Sequence, residues 1–404
     1  MCLFCSHNGY TADPKPFSPI SDNPGRSQKP LGWEQLEEII KKSGASSSSI
    51  SRKSPKSNIV EYNVSCPVCE HELKGQKLKH WDSENGVDTD FCRHSIGTSQ
   101  YILTVITCCK CGYSARQQRF SRSATSGLEK FVKKNLTEKT RKHILREVNL
   151  KLKTEFIELS QKAIPPLLKY SNALSVAEFR KQNSLEIAKL CAEASWAMRI
   201  EFYRAPFSPL INRSLTRMSR ILDNDNYSAR DPENAVVFLK ETLQRRRLSR
   251  TDLFLCNLFI SSNYDRIGNL SMTKDYLDRA VTQAEGNKEL TRIAEKKRLL
   301  LENEIRFREK AFSHYIQVLS SNGLSKKQLL PVMYLIGEML RRNGQYQRAY
   351  FWLRGTEKIL GSNESTIRIL TTRQLGRVSE RLTAEQKLKA PPSLLKTLVF
   401  EYGQ

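Results

Sequence analysis

The chain has 404 residues, enough for two or three domains with a sizeable buried core, and its 39% apolar content excludes a wholly disordered protein. Lys and Arg number 66 against 42 Asp and Glu, and the resulting formal net charge of +24 favours polyanionic partners such as nucleic acid or an anionic membrane surface. An ordinary solvated basic surface explains the same charge equally well, because net charge governs solubility and non-specific association before specific function.

Cysteine usage and the apolar runs indicate the compartment. Ten cysteines are too few for a disulfide scaffold, and their grouping in pairs suits a reducing compartment in which thiols hold metal. The sequence starts without a basic segment followed by an apolar core, which argues against a secretory signal, and no run approaches the roughly 18 apolar residues of a membrane span. We expect a cytoplasmic protein without a membrane span.

The first segment, residues 1–58, is rich in Ser, Pro, Lys and Asn and predicts a disordered tail, because this composition buries too little apolar surface to offset the entropy of ordering. Within it, Trp33 to Lys42 has apolar residues at helical spacing and predicts a short docking helix. Cys2, Cys5 and His7 resemble half of a metal-binding knuckle, but no second half lies nearby in the sequence, so a flexible terminus is the preferred interpretation.

Residues 59–120 predict a small zinc-ribbon-like β module. Two C-x2-C turns, called hooks below, face each other across 38 intervening residues; the first hook holds Cys66 and Cys69, and the second holds Cys108 and Cys111. Four thiolates in two such turns are what a tetrahedral Zn2+ needs, since each turn presents two sulfurs to one ion. We therefore predict that these four residues bind one structural zinc.

Short strands are expected beside both hooks. Alternation over Ile59 to Val64 predicts a strand leading into the first hook, and the β-branched run from Tyr101 to Thr107 predicts one leading into the second. Gly112 suits the tight turn after the second hook, because glycine easily adopts a positive φ. Glu70 stands at the matching place of the first hook, a departure that loosens that turn without removing its ligands.

Between the hooks, residues 88–94 have the sequence Asp-Thr-Asp-Phe-Cys-Arg-His, which combines carboxylates, a thiol and an imidazole. Because sulfur, nitrogen and oxygen ligands are all present, the stretch suits an additional metal site or an alternate ligand at Cys92, and also a catalytic cluster. The plainer interpretation is a surface turn with Phe91 tucked into the small core. The residues alone leave these alternatives open.

Three motifs in this order carry a resemblance: Cys-Pro-x-Cys at the first hook, Asp-Thr-Asp-Phe-Cys at residues 88–92, and Val-Ile-Thr-Cys-x-x-Cys-Gly-Tyr-Ser at residues 105–114. Over residues 64–120 the chain resembles the bacterial domain of unknown function 2225 family, whose members pair a cysteine-rich N-terminal module with a helical C-terminal region. The resemblance implies metal binding and a bacterial cytoplasmic setting, and it brings no established activity. Cys109 inside the second hook departs from the family pattern, but the i, i+3 spacing favours Cys108 as the fourth ligand.

Residues 121–155 predict a basic helical connector. Across residues 116–153 twelve Lys or Arg stand against three Glu, directly after the ribbon. Such a helix beside a ribbon is typical of a nucleic-acid interface, because Lys and Arg release counterions from phosphates, and Tyr113, Phe120 and Phe131 could add stacking on bases. An exposed connector with an ordinary basic excess is the slightly favoured alternative.

From residue 156 to residue 404 the apolar positions recur at three- and four-residue spacings, which predicts an α-helical repeat-like domain. The segments around Gly268 and Gly344 share the layout of a tetratricopeptide helix pair, with small residues for close helix contact and a glycine at the turn. A generic helical bundle is the alternative. Stacked helix pairs expose a groove for a protein partner, and the arginines at 245–247 and 341–342 could line it for acidic peptides.

The predicted fold class is therefore mostly α: a small zinc-ribbon-like β module followed by an α-helical tetratricopeptide-like repeat domain, with a disordered N-terminal tail. The sequence contains no phosphate loop, zincin motif, nucleophile elbow or dinucleotide fingerprint, so an enzyme is the least favoured class, surviving only as a zinc- or thiol-based activity at Cys92, His94 and Cys109. We predict a non-catalytic adaptor that docks protein partners through a helical-repeat groove, with structural Zn2+ as its cofactor. The alternative is a nucleic-acid-binding protein that uses the ribbon and residues 116–153.

Overall fold

The computed structural model describes residues 58–79, 87–94, 98–147, 159–204, 209–224, 231–245, 247–321, 324–360 and 365–402. The predictions for the N-terminal tail, its docking helix and its half knuckle lie outside these residues. Within them the chain is mostly helical with two small two-stranded sheets, as the sequence predicted. No described helix is both long enough and apolar enough to cross a membrane.

Each hook closes a short hairpin. Strands β1 (Ile59–Ser65) and β2 (Glu72–Leu78) pair across the first hook, and strands β3 (Val105–Thr107) and β4 (Ser114–Arg116) pair across the second. Both pairs are antiparallel, and their registers are continuous up to the cysteine-containing turn. The prediction that both hooks lie at turns between short strands is therefore confirmed.

The strand predicted from Tyr101 to Thr107 is too long. Its first part is the short helix α1 (Gln100–Thr104), because the Ser99 hydroxyl accepts a hydrogen bond from the Tyr101 backbone N–H at 3.2 Å and caps a helical turn. Only the three residues of β3 are extended. The β-branched composition of the run did not reveal this local capping interaction, which overrode the strand propensity of the first residues.

Helices make up most of the remaining described chain, and local signals fix several of their ends. In chain order they are α2 (Gln117–Phe120), α3 (Ser126–Asn135), α4 (Thr137–Glu147), α5 (Pro166–Phe179), α6 (Ser184–Tyr203), α7 (Pro209–Asn224), α8 (Pro232–Arg245), α9 (Arg250–Ile267), α10 (Leu270–Ala284), α11 (Lys288–Ser320), α12 (Lys326–Arg342), α13 (Tyr346–Ile359), α14 (Ser365–Ser379), α15 (Ala384–Leu388) and α16 (Ser393–Tyr402). A capping box between Ser249 and Asp252 starts α9. Proline opens α5, α7 and α8, where its missing N–H leaves no helical hydrogen bond unmade.

Neighbouring helices pack in pairs through tight turns. Helix α9 packs on α10 and α12 on α13, through turns in which Gly268 and Gly344 adopt left-handed φ angles of +78° and +73°. Gly337 lets α12 approach α13, since a Cβ there would lie 2.8 Å from Cγ of Leu353. This is the helix-turn-helix layout expected around the two glycines, while its assignment to the tetratricopeptide class stays a prediction.

The small core beneath the hooks extends beyond the predicted module. Helix α3 and Val176 of α5 pack in this core together with Tyr113 and Phe120. Tyr113 and Phe120 are fully buried, so the prediction that they stack on bases is wrong, and Phe131 stacks on Phe179 with ring centroids 4.5 Å apart. The first connector helix and the hooks thus share one core.

Candidate metal centre

The sulfurs of the two hooks meet at one point. Sγ of Cys66 lies 3.5 Å from Sγ of Cys111, and Sγ of Cys69 lies 3.6 Å from Sγ of Cys108. All four sulfurs lie within 4.8 Å of one another. Sulfurs that share one tetrahedral ion at bond lengths of about 2.3 Å stand about 3.8 Å apart, so these four residues could hold a metal ion.

The two hooks have matching backbones. In each, the N–H of the residue after the second cysteine donates to the carbonyl of the first cysteine, at 2.9 Å in the first hook and 2.8 Å in the second. That residue is left-handed in both, with a φ of +57° at Glu70 and +81° at Gly112. A non-glycine residue in this region costs about 1–2 kcal/mol, so the first hook contains a strain that the second does not.

The four thiols titrate together because they hydrogen-bond to one another. The hydrogen bond with Cys108 lowers the pKa of Cys69 far below its usual range, and the interaction with the same neighbour raises the pKa of Cys111 above its usual range. A metal ion that displaces the thiol protons would bind all four sulfurs as thiolates.

Cys109 does not belong to the sulfur cluster. Its Sγ lies 3.8 Å from the carbonyl oxygen of Leu159, on the helical side of the second hook. Cys108 is the residue whose sulfur meets the other three, in agreement with the i, i+3 spacing.

Side chains from the helical region position the second hook. The Gln161 side chain accepts a hydrogen bond from the Thr107 N–H at 3.0 Å and donates one to the Thr107 carbonyl at 2.9 Å, which extends the edge of β3. The Asn172 amide of α5 donates to the carbonyl of Gly112 at 3.0 Å. The backbone on both sides of the second hook is therefore held by residues that follow it by more than 50 positions.

In the segment of residues 87–94, called the inter-hook loop below, the carboxylate, thiol and imidazole side chains are buried. Cys92 and His94 are 0% exposed, Asp90 is 1% exposed and Asp88 is 8% exposed. The interpretation as a surface turn is wrong, because the carboxylates of this loop are bound by arginines of distant helices.

Arg199 of α6 is the centre of these contacts. Its two terminal nitrogens donate to the two carboxylate oxygens of Asp90, each at 2.8 Å, and one of them also donates to Oδ2 of Asp88 at 3.0 Å. Its Nε donates to Oε1 of Glu304 in α11 at 2.9 Å, while Arg266 of α9 donates to Oδ1 of Asp88 at 3.3 Å. The Arg199–Asp90 pair is bidentate, which combines strength with a fixed geometry. Together the contacts tie the loop to α6 and α9, and they tie α6 to α11.

Helix α12 adds a second group of contacts. Tyr334 donates its hydroxyl to the Thr89 carbonyl at 2.7 Å, and the Thr89 hydroxyl donates to Glu338. Arg342 donates to Glu338 at 3.0 Å and to the Thr89 hydroxyl at 3.2 Å. Arg341 and Arg342 are buried and bound within the chain, so they do not line an open groove as predicted; the inter-hook loop occupies that place.

Acidic and basic groups match in number around the loop: Asp88, Asp90, Asp265, Glu304 and Glu338 face Arg199, Arg266, Arg308, Arg341 and Arg342. Burial by itself would raise the pKa of Asp90, but the guanidiniums of Arg199 and Arg342 hold it below its usual range. Asp265 of α9 differs, because burial and the charge of the neighbouring Glu304 raise its pKa to about 8. Asp265 therefore carries a proton at neutral pH.

The sequence did not reveal the partners of the loop. Arg199 follows Asp90 by 109 residues, and Arg266 follows Asp88 by 178 residues, so no local spacing connects them. The available signal was Arg199 within the largely apolar stretch of residues 194–203, where Glu201 is the other charged residue. A charged residue that is buried in such a stretch needs an ionic partner elsewhere in the chain.

A family model described as an uncharacterized protein conserved in bacteria (DUF2225) matches residues 59–301 and 255–375. The matched residues include both hooks, the inter-hook loop and the helices that bind it. No curated protein and no solved structure matches the chain.

Proposed function

The chain belongs to the DUF2225 family of uncharacterized bacterial proteins, and from this premise we propose that it is a zinc-binding, non-catalytic adaptor that docks a protein partner on its helical region. One observation carries the proposal: the thiols of the hooks and the buried charged side chains bind one another inside the fold. Four thiols meet at the hooks, and buried arginines bind the carboxylates of the inter-hook loop. Such an arrangement supports a structural role better than turnover of a substrate.

Zinc is the ion that we assign to the hooks. Four thiolates form a soft tetrahedral ligand set, which suits zinc and excludes the hard ions calcium and magnesium. A closed four-sulfur site leaves no position for water or substrate, so the ion is structural. When bound, it contributes folding free energy that a small two-hairpin module lacks.

The surroundings of Cys92 support the non-catalytic part of the proposal. The Cys92 side chain is fully buried, so a substrate in solution does not reach its thiol.

The helix pairs of residues 247–360 support the docking part. Stacked pairs of this layout present extended surfaces to partner segments. The inter-hook loop already contacts the arginines of α12, so we place the docking surface elsewhere on these helices. The partner is therefore expected to bind without displacing the loop.

The adaptor proposal is tested by affinity purification of the full-length tagged chain from its source cells after nuclease treatment. We expect one defined protein at constant stoichiometry, which then binds the purified chain in isothermal titration calorimetry. The matched control replaces Lys130, Lys133 and Lys134 by Glu, which should leave the partner bound. Absence of any stoichiometric protein after nuclease treatment would reject the adaptor.

Nucleic-acid binding is the second candidate, supported by the exposed lysines of α3 and α4. A surface depression of about 500 Å³ lies between these helices and is lined by Lys134, Asn135, Glu138, Lys139, Lys142 and His143. The first arginines of the basic segment do not contribute, because Arg116 and Arg119 form ion pairs with Glu186. The lysines of α3 and α4 are therefore the residues that would contact phosphates.

Nucleic-acid binding, the second candidate function, predicts a different set of results. Affinity for a nucleic acid must fall steeply with salt, and charge reversal at Lys130, Lys133 and Lys134 must weaken binding to all sequences alike, because phosphate contacts carry no sequence information. Fluorescence anisotropy with labelled single- and double-stranded oligonucleotides at several salt concentrations measures both effects. Undetectable binding at low salt would exclude this function.

A further inference from the structure

The inter-hook loop brings three different metal-binding side chains together outside the hooks. A carboxylate oxygen of Asp88, Sγ of Cys92 and a ring nitrogen of His94 lie within 4.8 Å of one another. Cys92 and His94 are 0% exposed, so no bulk water reaches these ligand atoms. The four-sulfur cluster of the hooks does not use any of them.

His94 is the least satisfied member of this group. Its Nδ1 makes no hydrogen bond to a described residue, while Nε2 lies 2.9 Å from Oδ2 of Asp88. A buried polar atom without a partner costs about 1–3 kcal/mol, and in a native protein it requires an explanation such as a bound ion or water.

A strained turn holds the three side chains in place. The Phe91 N–H donates to the Asp88 carbonyl at 2.9 Å, and the Asp88 N–H donates to the Cys92 carbonyl at 2.8 Å. Phe91 has a φ of +67°, a conformation that costs a non-glycine residue about 1–2 kcal/mol. Its ring packs against Tyr334 with centroids 5.4 Å apart, which contributes to fixing the turn. Strain of this kind persists where the surrounding structure over-determines it, as at ligand sites.

We propose that Asp88, Cys92 and His94 form a second metal site, which binds a divalent ion of the zinc class. Thiolate, imidazole and carboxylate are all zinc ligands, and a set that contains sulfur and nitrogen excludes calcium and magnesium. Bonds of about 2.0–2.3 Å keep the ligand atoms of a tetrahedral ion about 3–4 Å apart. The side chains therefore need to close by roughly 1 Å to coordinate the ion.

Positive and negative groups both face the site. Arg199 and Arg266 contact Asp88 at 3.0 Å and 3.3 Å, and Arg342 lies 3.5 Å from Asp90, so three guanidiniums face the charges of Asp88, Asp90 and the thiolate that Cys92 forms on binding. Asp88 can keep both arginines and still coordinate, because an ionised carboxylate offers about four lone-pair positions. On binding, the thiol proton is released to solvent and the sulfur–metal bond forms, with no change of oxidation state.

The second site joins the β module to the helical region. Its ligands lie on the loop that Arg199, Arg266 and Arg342 bind, so the ion fixes the loop conformation that these arginines recognise. This inference is independent of the adaptor proposal, since it requires no partner. It assigns one ion to the hooks and one to the loop.

Elemental analysis of the full-length protein, loaded with Zn2+ and desalted, tests the second site. We expect two zinc ions per chain in the wild type and one in Cys92→Ser and in His94→Gln. Cys66→Ser should also retain one, and the double variant Cys66→Ser with Cys92→Ser should retain none. The matched controls are Cys109→Ser and Cys191→Ser, buried cysteines outside both clusters, which should keep two.

A wild-type content of one zinc that Cys92→Ser and His94→Gln leave unchanged would overturn the proposal. If these variants do not fold by circular dichroism, wild-type apoprotein is titrated with Co2+ instead. Two equivalents with two different thiolate-to-cobalt absorption spectra support the site, because four thiolates and one thiolate give different bands. Saturation at one equivalent would overturn it.

Discussion

The two hooks and the inter-hook loop are neighbours in sequence, yet they are held in opposite ways. Within each hook the turn and its hairpin set the positions of the two sulfurs, and Gln161 and Asn172 also hold the backbone of the second hook. The loop takes its geometry from helices whose binding residues lie 106 to 253 positions further along the chain. The turn of each hook is thus formed by residues close in sequence, whereas the loop is held by ionic contacts with residues far along the chain.

This difference separates two kinds of stabilisation. A structural metal contributes folding free energy directly, because the unfolded chain has no preformed site. Buried charged side chains stabilise the fold only when every partner is present. A charged side chain that is removed from water and left unpaired costs several kcal/mol of folding free energy. Loss of the ion should therefore damage the hairpins, and loss of one arginine should damage the packing of the loop against the helices.

The largest effect on metal content and folding is expected from substitutions in the hooks. Serine at Cys66, Cys69, Cys108 or Cys111 should remove one zinc per chain and unfold the hairpins, because apparent binding free energies of structural zinc are about 10–16 kcal/mol in small peptides near neutral pH. Elemental analysis measures the loss, and circular dichroism should show the helical signal largely retained. Cys109→Ser is the control that keeps its zinc. Unchanged zinc in all four variants would reject the hook site.

A smaller loss of stability is expected when Arg199, the centre of the loop contacts, is replaced. Arg199→Met should lower the free energy of unfolding by about 3–5 kcal/mol, because it leaves the buried carboxylates of Asp90 and Glu304 without their main partner. Urea denaturation measures this. The control is Arg298→Ala, which breaks an ion pair with Asp278 whose side chains are 46% and 67% exposed and should cost about 0–1 kcal/mol. Equal effects in the two variants would contradict the central role of Arg199.

The third effect depends on pH. Asp265 keeps its proton in the folded protein up to about pH 8, but in the unfolded chain it releases it near pH 4, roughly its ordinary pKa. Wild-type stability should therefore fall, relative to Asp265→Asn, as pH rises from about 5 to 8, with a slope of at most about 1.4 kcal/mol per pH unit.

Urea denaturation of both proteins across this range provides the measurement. The difference between the two proteins is the quantity to follow, because burial lowers the pKa of Lys169 and of Lys297 to about 7 and makes both proteins more stable as pH rises above 7. Identical slopes in the wild type and in Asp265→Asn would show that Asp265 is ionised in the folded state.

The smallest expected changes in stability come from substitutions that distinguish the two hooks from each other. Glu70→Gly should stabilise the protein by about 1 kcal/mol, because it relieves a left-handed non-glycine residue. Gly112→Ala should destabilise it by a similar or larger amount, since a Cβ there would lie 2.3 Å from Oγ1 of Thr140 and 2.9 Å from the Leu136 carbonyl. Thermal denaturation of the zinc-bound proteins should give shifts of opposite sign. Shifts of the same sign would contradict the matching backbones of the hooks.

The hooks could be predicted from the sequence because their signal is local. A C-x2-C turn carries its own backbone, so spacing alone identified the four sulfurs and the choice of Cys108 over Cys109. The helix turns at Gly268 and Gly344 were predictable for the same reason, since a left-handed position at a helix end favours glycine.

The loop could not be predicted in this way. Its burial depends on Arg199, Arg266 and Arg342, which come from three helices that periodicity identifies but does not arrange in space. Without that arrangement, two aspartates and a histidine are typical of an exposed turn. The helical start at Ser99 was missed for a different reason, because one capping hydroxyl outweighed a β-branched composition.

The distance along the chain between Thr89 and Arg342 has a consequence for synthesis. The two residues are 253 positions apart, and a ribosome that adds about 5–20 residues per second needs roughly 13–50 s to produce the second after the first. During that interval the Thr89 side chain lacks its partners in α12, while the second hook, which ends 42 positions after Cys69, and Arg199, which binds Asp90, have already been made. Translation thus allows the four thiols to meet early and delays the contacts of Thr89 with α12 to the end of synthesis. Nascent chains arrested before α12 should accordingly contain the four-thiol cluster and a loop that is bound to α6 but not yet to α12.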